Sequence, residues 1–566
     1  MSHLPASLVQ QLDTWFEGVD VKAPGAGFAV FDRTGVLFHA GTGTFDTAPG
    51  AEAAAADYLA GAGGRLGVGR VHGTAPTART AARICSMSKS FLIVALLVLV
   101  ERGRVDLEAP VSRYVPEFTD PVVDGETVPV TVRMICSNCS GLPEDNAWAD
   151  FHLGLDHAAV RDLVARGLRF SEVPDTSYQY SNFAFGLVGM VLENVTGERY
   201  QDFVTREVIA PLGLTHTRYE WRDFEPGTEL MLGFTSFDEG ASWIHRPYVE
   251  TGILGAAGSL WSTAEDIARW VGWLSAAFAP AEEPAQSASD GQLSSELQGA
   301  SGAGEGILSR RMRRRMQRIH TPIHSMQERM VKDGLFDGIG YGLGLVIEMD
   351  SRFGTIAQHS GGLPGFSTNM RWHCDSGLGV YTYVNSEGRP AARWAESILS
   401  TVLRALEVPA RTVDLWPETA AAARRIDSLL HAMADGSDTD GGGSFADLSD
   451  IAAPNLFSDV PVEVRDSRAV HAFAQAGGVT QGAPEAEASF ADRLLWCVSA
   501  ADLVWRVPGK DADLQVRIEI AEVPALGAAP ANPLQRVVIE PLGKENQGLP
   551  TGRDKVVRHF VPRLPG

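Results

Sequence analysis

Cysteine is scarce, with five in 566 residues (Cys85, Cys136, Cys139, Cys374 and Cys497). An odd, thinly spread set cannot build a disulfide framework and fits a reducing compartment. Cys136 and Cys139 have the spacing of half a zinc ribbon, but no second pair supplies the missing ligands. They read as two packed thiols, with no metal expected. Basic side chains are also in deficit, 48 Lys and Arg against 70 Asp and Glu, for a net charge of -22. A field of that sign repels polyanions, so no nucleic-acid partner is expected. The one dense basic run, RRMRRRMQR from Arg310 to Arg318, reads as a solvated helix face. Long apolar runs are missing too. The longest, Phe91 to Val100, is ten residues, too short to span a bilayer, so no membrane partner is expected. The first residues, MSHLPASLVQQLDTWFEGV, lack the charged, apolar and small-residue segments of a secretory signal, and a cytoplasmic location is expected.

What is present is ordinary globular composition, 45% hydrophobic and 21% charged, in a chain longer than one domain. Leu8, Val9, Leu12, Trp15, Phe16 and Val19 recur at helical spacing. GFAVFDRTGVLFHAG (Gly27 to Gly41) alternates around a turn and predicts a hairpin. An irregular Ala, Gly and Thr stretch over 46–80 gives way to helical patterns at Ser88 to Arg102, Asp156 to Arg166, Phe183 to Val195 and Ala264 to Ala277. Ser262-Thr-Ala-Glu265 reads as a capping box for the last. Residues 281–306 have few large apolar side chains and predict a mobile insertion. Strand patterns return between Tyr341 and Asn385, and their pairing with the N-terminal hairpin around a block of helices predicts an α+β domain over residues 1–407. A linker and helix over 408–450 follow, with GSDTDGGGS as the flexible part. Residues 451–566 predict a β-rich accessory domain, sandwich or barrel, from four alternating stretches: VPVEVRD, DLVWRVPG, DLQVRIEIAEV and LQRVVIEPL.

The chemistry begins at ICSMSKSF. Ser86 and Lys89 stand at i and i+3, on one face of a helical turn, where a very apolar helix starts. A serine hydroxyl is a poor nucleophile unless a base takes its proton. Burial against the apolar helix lowers the pKa of a lysine and lets it serve as that base. A helix start also offers N–H groups to a developing oxyanion. Taken alone, the pattern is weak, and Ser86 reads as a helix cap and Lys89 as a surface residue. Two further motifs follow in order: Tyr180-Ser181-Asn182 just before an apolar helix, and His359-Ser360-Gly361-Gly362 inside a strand pattern.

With this ordered triple the chain resembles the serine β-lactamase-like hydrolases, a family that includes class C β-lactamases, DD-peptidases, D-aminopeptidases and esterases. Longer blocks carry the same resemblance, at residues 82–118, 134–146, 178–197, 255–270 and 356–370. The family's His-Thr-Ser-Gly-Leu is Asn138-Cys139-Ser140-Gly141-Leu142 here, which leaves a structural histidine unrepresented. The resemblance implies a β-lactamase/penicillin-binding-protein-like catalytic domain with an antiparallel sheet flanked by helices. It implies Ser86 as the acylated nucleophile, Lys89 as its proton partner and Tyr180 as an assistant in proton transfer. Asn182 would hold the acyl side of the substrate, and His359, Gly361 and Gly362 would line the cleft. The N–H groups of Ser86 and Gly362 would form the oxyanion hole. No cofactor and no metal are implied.

Where members with Lys-Thr-Gly anchor a substrate carboxylate, this chain has His359, mostly neutral at pH 7 with a reference pKa of about 6.5. Penicillin hydrolysis and DD-carboxypeptidase activity are therefore less expected. The His-x-Gly form is nearest to the D-aminopeptidase branch, and a D-stereospecific aminopeptidase or amidase on small peptides or amides is the leading expectation. Those aminopeptidases carry two β-barrels after the catalytic domain, whereas the tail here suffices for one. A carboxylesterase on small esters is the alternative. A non-catalytic acyl- or peptide-binding protein is the third, against which stand both a nucleophile and a base.

Overall fold

The computed structural model describes residues 4–48, 73–279, 306–324, 336–350, 352–409, 412–435, 443–479, 490–523, 531–542 and 561–564. The chain divides into two compact units. The first comprises Met1–Glu328, Gly338–Met349 and Thr355–Val408; the second comprises Arg329–Asp337, Asp350–Gly354 and Pro409–Gly566. All but the last residue of the expected insertion at 281–306, most of the irregular stretch over 46–80, and residues 436–442 of the expected linker lie outside the described residues.

The frame of the first unit is an eight-stranded sheet. Its strands are β1 (Gly25–Asp32), β2 (Gly35–Gly43), β3 (Thr321–Pro322), β4 (Phe336–Tyr341), β5 (Val346–Asp350), β6 (Gly354–Leu363), β7 (Phe366–His373) and β8 (Gly379–Val384), in the order β2-β1-β8-β7-β6-β5-β4-β3. The N-terminal hairpin joins the later strands through antiparallel pairing of β1 with β8, Ala26 opposite Val384. Every residue of β7 and β8 is buried, so both faces of the sheet are covered there.

Helices supply the cover. In α1 (Ala6–Glu17), Leu8, Leu12 and Phe16 are buried at helical spacing, and the Phe16 ring meets Phe28 of β1 edge-on at 5.0 Å. α2 (Ser88–Glu101) is buried at every position from Ser88 to Leu99. An uninterrupted apolar run has no polar face to offer water and ends in the core. α3 (His157–Ala165) starts at the Asp156 cap. α4 (Asn182–Thr196) starts at the Ser181 cap and stops at Gly197, whose φ of 80° ends the helix. α5 (Ala264–Ser275) is capped one residue later than expected: Thr263, not Ser262, accepts the Asp266 N–H, because Ser262 is paired in a short strand with Ala82. The basic run forms α6 (Arg310–Met316), but it is not a solvated face. Arg310 and Arg314 donate to the Ala277 carbonyl and Arg313 to that of Trp273. Guanidinium groups placed there satisfy carbonyls at the C-terminal end of α5. α7 (Ala391–Ala405) presents Trp394, Ile398, Leu399 and Val402 inward and packs on β7 and β8.

The second unit has its own core. α8 (Pro417–Asp435) packs on a four-stranded antiparallel sheet of β9 (Leu494–Trp496), β10 (Asp502–Val507), β11 (Leu514–Ile520) and β12 (Leu534–Pro541). The expected strand at VPVEVRD is instead the start of α9 (Val462–Gln475). Pro461 begins it, and Ala469, Ala472 and Phe473 turn inward at helical spacing while Val464 and Val470 stay exposed. Among the described residues, α8 and α9 pack on this sheet. Among the described residues no helix is long and apolar enough to cross a membrane.

Candidate active site

Ser86 lies in a single tight turn, Cys85–Met87, that feeds directly into α2. From Ala81 to Leu99 it is the only side chain that is not fully buried. The turn is held from several sides: Ser88 Oγ donates to Cys85 O at 2.6 Å, and Thr368 Oγ1 of β7 donates to Ile84 O at 3.1 Å. Cys85 adopts a φ of 53°. A left-handed residue other than glycine is a strained choice, and here it aims the next side chain out of the core.

Lys89, one turn on, is completely buried. Its ammonium has three protons and finds three acceptors: Ser86 Oγ at 3.0 Å, Asn182 Oδ1 at 2.7 Å and Ala257 O at 2.9 Å. It also lies 4.8 Å from the centre of the Tyr180 ring and 5.2 Å from that of Phe185. Burial lowers its pKa to about 7, against the opposing pull of Asp145 and Asp150. Near neutral pH the amine therefore exists in both forms, as a general base requires.

Tyr180 is brought over Lys89 by the loop ahead of α4. Burial pushes its phenol well above the ordinary range, with a hydrogen bond to Ser86 pulling the other way. It thus stays protonated and able to pass on a proton. The loop is pinned on both sides of Tyr180 by one residue. Gln179 N donates to Asn138 O at 2.8 Å, and Ser181 N donates to Asn138 Oδ1 at 3.1 Å. Asn138 is fully buried at a φ of 56°, a conformation that asparagine tolerates. The residue that replaces the family's histidine therefore shapes the site.

Asn182, at the start of α4, is 3% exposed and engaged at both ends of its amide. Its oxygen accepts from Lys89, and its nitrogen donates to Asp145 at 3.2 Å and to Asn146 at 2.8 Å. Its contacts therefore orient the lysine. Asp145 also accepts the N–H groups of Asn182 and Phe183, at 2.7 and 2.8 Å, and so caps α4 from outside.

His359, expected to line the cleft, has its ring 6.2 Å from that of Tyr180 and buried, 3% exposed. Nδ1 lies 2.6 Å from Ser360 O, and Nε2 lies 2.9 Å from the hydroxyl of the buried Tyr341. A carbonyl can only accept, so Nδ1 carries the proton and Nε2 accepts from the tyrosine. Burial lowers the ring pKa to about 3, and the Lys89 charge acts in the same direction. The imidazole is neutral and both nitrogens are occupied.

Gly361 and Gly362 follow on β6. A β-carbon at Gly361 would stand 2.4 Å from Ile84 O and 2.9 Å from Cys85 Cβ, so only glycine lets the strand approach the nucleophile turn. Gly362, next along, is exposed with open space above it. The structure thus brings Ser86, Lys89, Tyr180 and Asn182 together and runs β6 against the turn that carries Ser86. Asp145, Asn146, Ala257 and Tyr341 carry no signal in the sequence, because they reach the site from segments distant in the chain.

Comparison with known proteins places this geometry. The protein family described as Beta-lactamase matches residues 6–403. Protein flp of Staphylococcus aureus (strain COL) is 29% identical over 145 residues, 25% of this chain and 28% of that protein. The match thus spans under a third of that relative's length. Among solved structures, the octameric penicillin-binding protein homologue from Pyrococcus abyssi superposes with a TM-score of 0.52 at 17% identity, over 92% of this chain and 97% of that chain. EstCE1, a hydrolase with promiscuous acyltransferase activity, superposes with a TM-score of 0.50 at 17% identity, over 70% and 98%. At such identities the likeness is one of fold.

Proposed function

Since the chain belongs to the Beta-lactamase family and is a serine hydrolase, we propose that it is a D-stereospecific aminopeptidase or amidase acting on small peptides or amides through an acyl-enzyme on Ser86. The observation that carries the catalytic part is the buried Lys89 amine, 3.0 Å from Ser86 Oγ with a pKa of about 7. In the neutral amine the lone pair replaces the proton that pointed at Ser86. The hydroxyl then donates to nitrogen, and its proton moves there as oxygen attacks the carbonyl. Tyr180, hydrogen-bonded to Ser86 and with its ring beside Lys89, hands a proton to the leaving amine and later takes one from the attacking water. The Ser86 and Gly362 N–H groups hold the oxyanion. Water is the final acyl acceptor.

The substrate part of the reading rests on His359. A neutral, buried imidazole with both nitrogens occupied cannot pair with a carboxylate, which disfavours substrates recognised by a free carboxyl group. The histidine form of this motif is also the one that resembles D-aminopeptidases. The test is hydrolysis of D- and L-alanine p-nitroanilide, p-nitrophenyl acetate and a chromogenic cephalosporin by wild type and Ser86→Ala. Selective turnover of the D-anilide that disappears in the variant is expected. Ester cleavage alone would move the assignment to carboxylesterase, and rates untouched by the substitution would put the nucleophile elsewhere.

A further inference from the structure

The loop between Leu142 and α3 borders the site at two points. At one end, Asp145 and Asn146 hold Asn182. At the other, Leu153 O accepts the Gly252 N–H at 2.8 Å, and a methyl group at Gly258 would touch Leu153 Cδ1 at 3.7 Å and Ser86 N at 3.9 Å. Asp150 lies between these anchors. It is half-buried, and its carboxylate has no hydrogen-bond or ion-pair partner among the described residues. Asp145, by contrast, is fully used in capping α4. Trp148 and Phe151, either side of Asp150, are 40% and 61% exposed.

We infer that Asp150 is the anchor for a protonated amino group on the acyl side of the substrate, and so the residue that selects aminoacyl over simple acyl groups. The inference deepens the aminopeptidase reading and rests on it for the identity of the substrate. The electrostatics agree. Burial raises the Asp150 pKa to about 6, and Asp145 pushes the same way while Lys89 and Arg83 oppose them. Once Lys89 is neutral, Arg83 alone of these cations still faces Asp145 and Asp150, and a substrate cation restores the balance. A carboxylate left without a partner in a partly dry site gains most from such a charge.

The test uses D-alanine methyl ester and methyl propionate, which differ in the amino group and share a leaving group, followed by methanol release. An ester pair reads the selection whether or not anilides are cleaved, so failure of the amidase reading and failure of this one are separable. In wild type the ratio of kcat/KM, amine over propionate, should exceed one and should fall as pH drops below about 6. Protonation of Asp150 removes the anchor there, while titration of Lys89 is common to both substrates and cancels. Asp150→Asn should lower the ratio about tenfold or more at pH 7 and abolish its fall with pH. The ratio is insensitive to a partly unfolded sample. An unchanged ratio in the variant, or a wild type that prefers propionate, would overturn the inference; a wild type that turns over neither ester would overturn it together with the function.

Discussion

At the scale of single residues the site turns on one proton. Lys89 holds three hydrogen bonds as a cation, and its usefulness begins when it loses the one to Ser86. Since burial sets its pKa at about 7, kcat/KM should be low in acid and rise through a limb near pH 7 as the amine becomes neutral. His359, with a pKa of about 3, should add no limb between pH 4 and 9. A profile on p-nitrophenyl acetate checks both statements, and a flat profile across pH 6 to 8 would mean that Lys89 is not the base. Ser86 and Lys89 were legible in the sequence because Tyr180-Ser181-Asn182 and His359-Ser360-Gly361-Gly362 follow them in order; without those two motifs the pair reads as a helix cap and a surface residue. The third hydrogen bond of Lys89 was not legible, since the Ala257 carbonyl carries no mark of residue type.

At the scale of elements, the proposed catalytic groups come from separate pieces: the turn before α2, the loop before α4, and β6. Helix and strand patterns located these pieces because burial imposes periods of 3.6 and 2 on them. The alternation in VPVEVRD misled for the same reason. Three valines at period two, Val460, Val462 and Val464, fit either element, and the inward side chains that decide it, Ala469, Ala472 and Phe473, lie further on. What holds the pieces in register was also hidden. Asn138 looks like a missing histidine in the sequence, yet its backbone and side chain grip the residues either side of Tyr180. Removing the amide should free that loop. Asn138→Gly keeps the left-handed backbone available and the carbonyl that holds Gln179, and deletes the side-chain half of the grip, so kcat should fall about tenfold with KM little changed, at a stability cost of about 1–3 kcal/mol for the unpaired Ser181 N–H. Asn138→Ala should show the same kinetic loss and a lower melting temperature, because alanine at a φ of 56° adds strain. Equal kcat in wild type and both variants would show that the loop holds its place without this residue.

At the scale of the whole molecule, the two units are built on separate cores. In the second, Leu503, Trp505, Val516 and Ile518 of the sheet pack with Ile426 and Leu430 of α8. The indole of Trp505 and the guanidinium of Arg493 both donate to Asp427, at 2.6 to 2.9 Å. A buried carboxylate satisfied in this way belongs to a cooperative core. Ser86, Lys89, Asn138, Asp150, Tyr180, Asn182, Ala257, His359 and Gly361 all belong to the first unit. A chain ending at Val408 should therefore retain Ser86-dependent hydrolysis of p-nitrophenyl acetate, with the pH limb of Lys89 still near 7. Small-ester turnover reads the machinery alone, whereas a series of D-aminoacyl peptides of growing length reads access to it. Broader acceptance by the truncated chain would assign the second unit a part in limiting substrate size, and equal acceptance would leave it without one. Loss of small-ester turnover in a truncated chain that still folds by circular dichroism would contradict the placement of the whole machinery in the first unit.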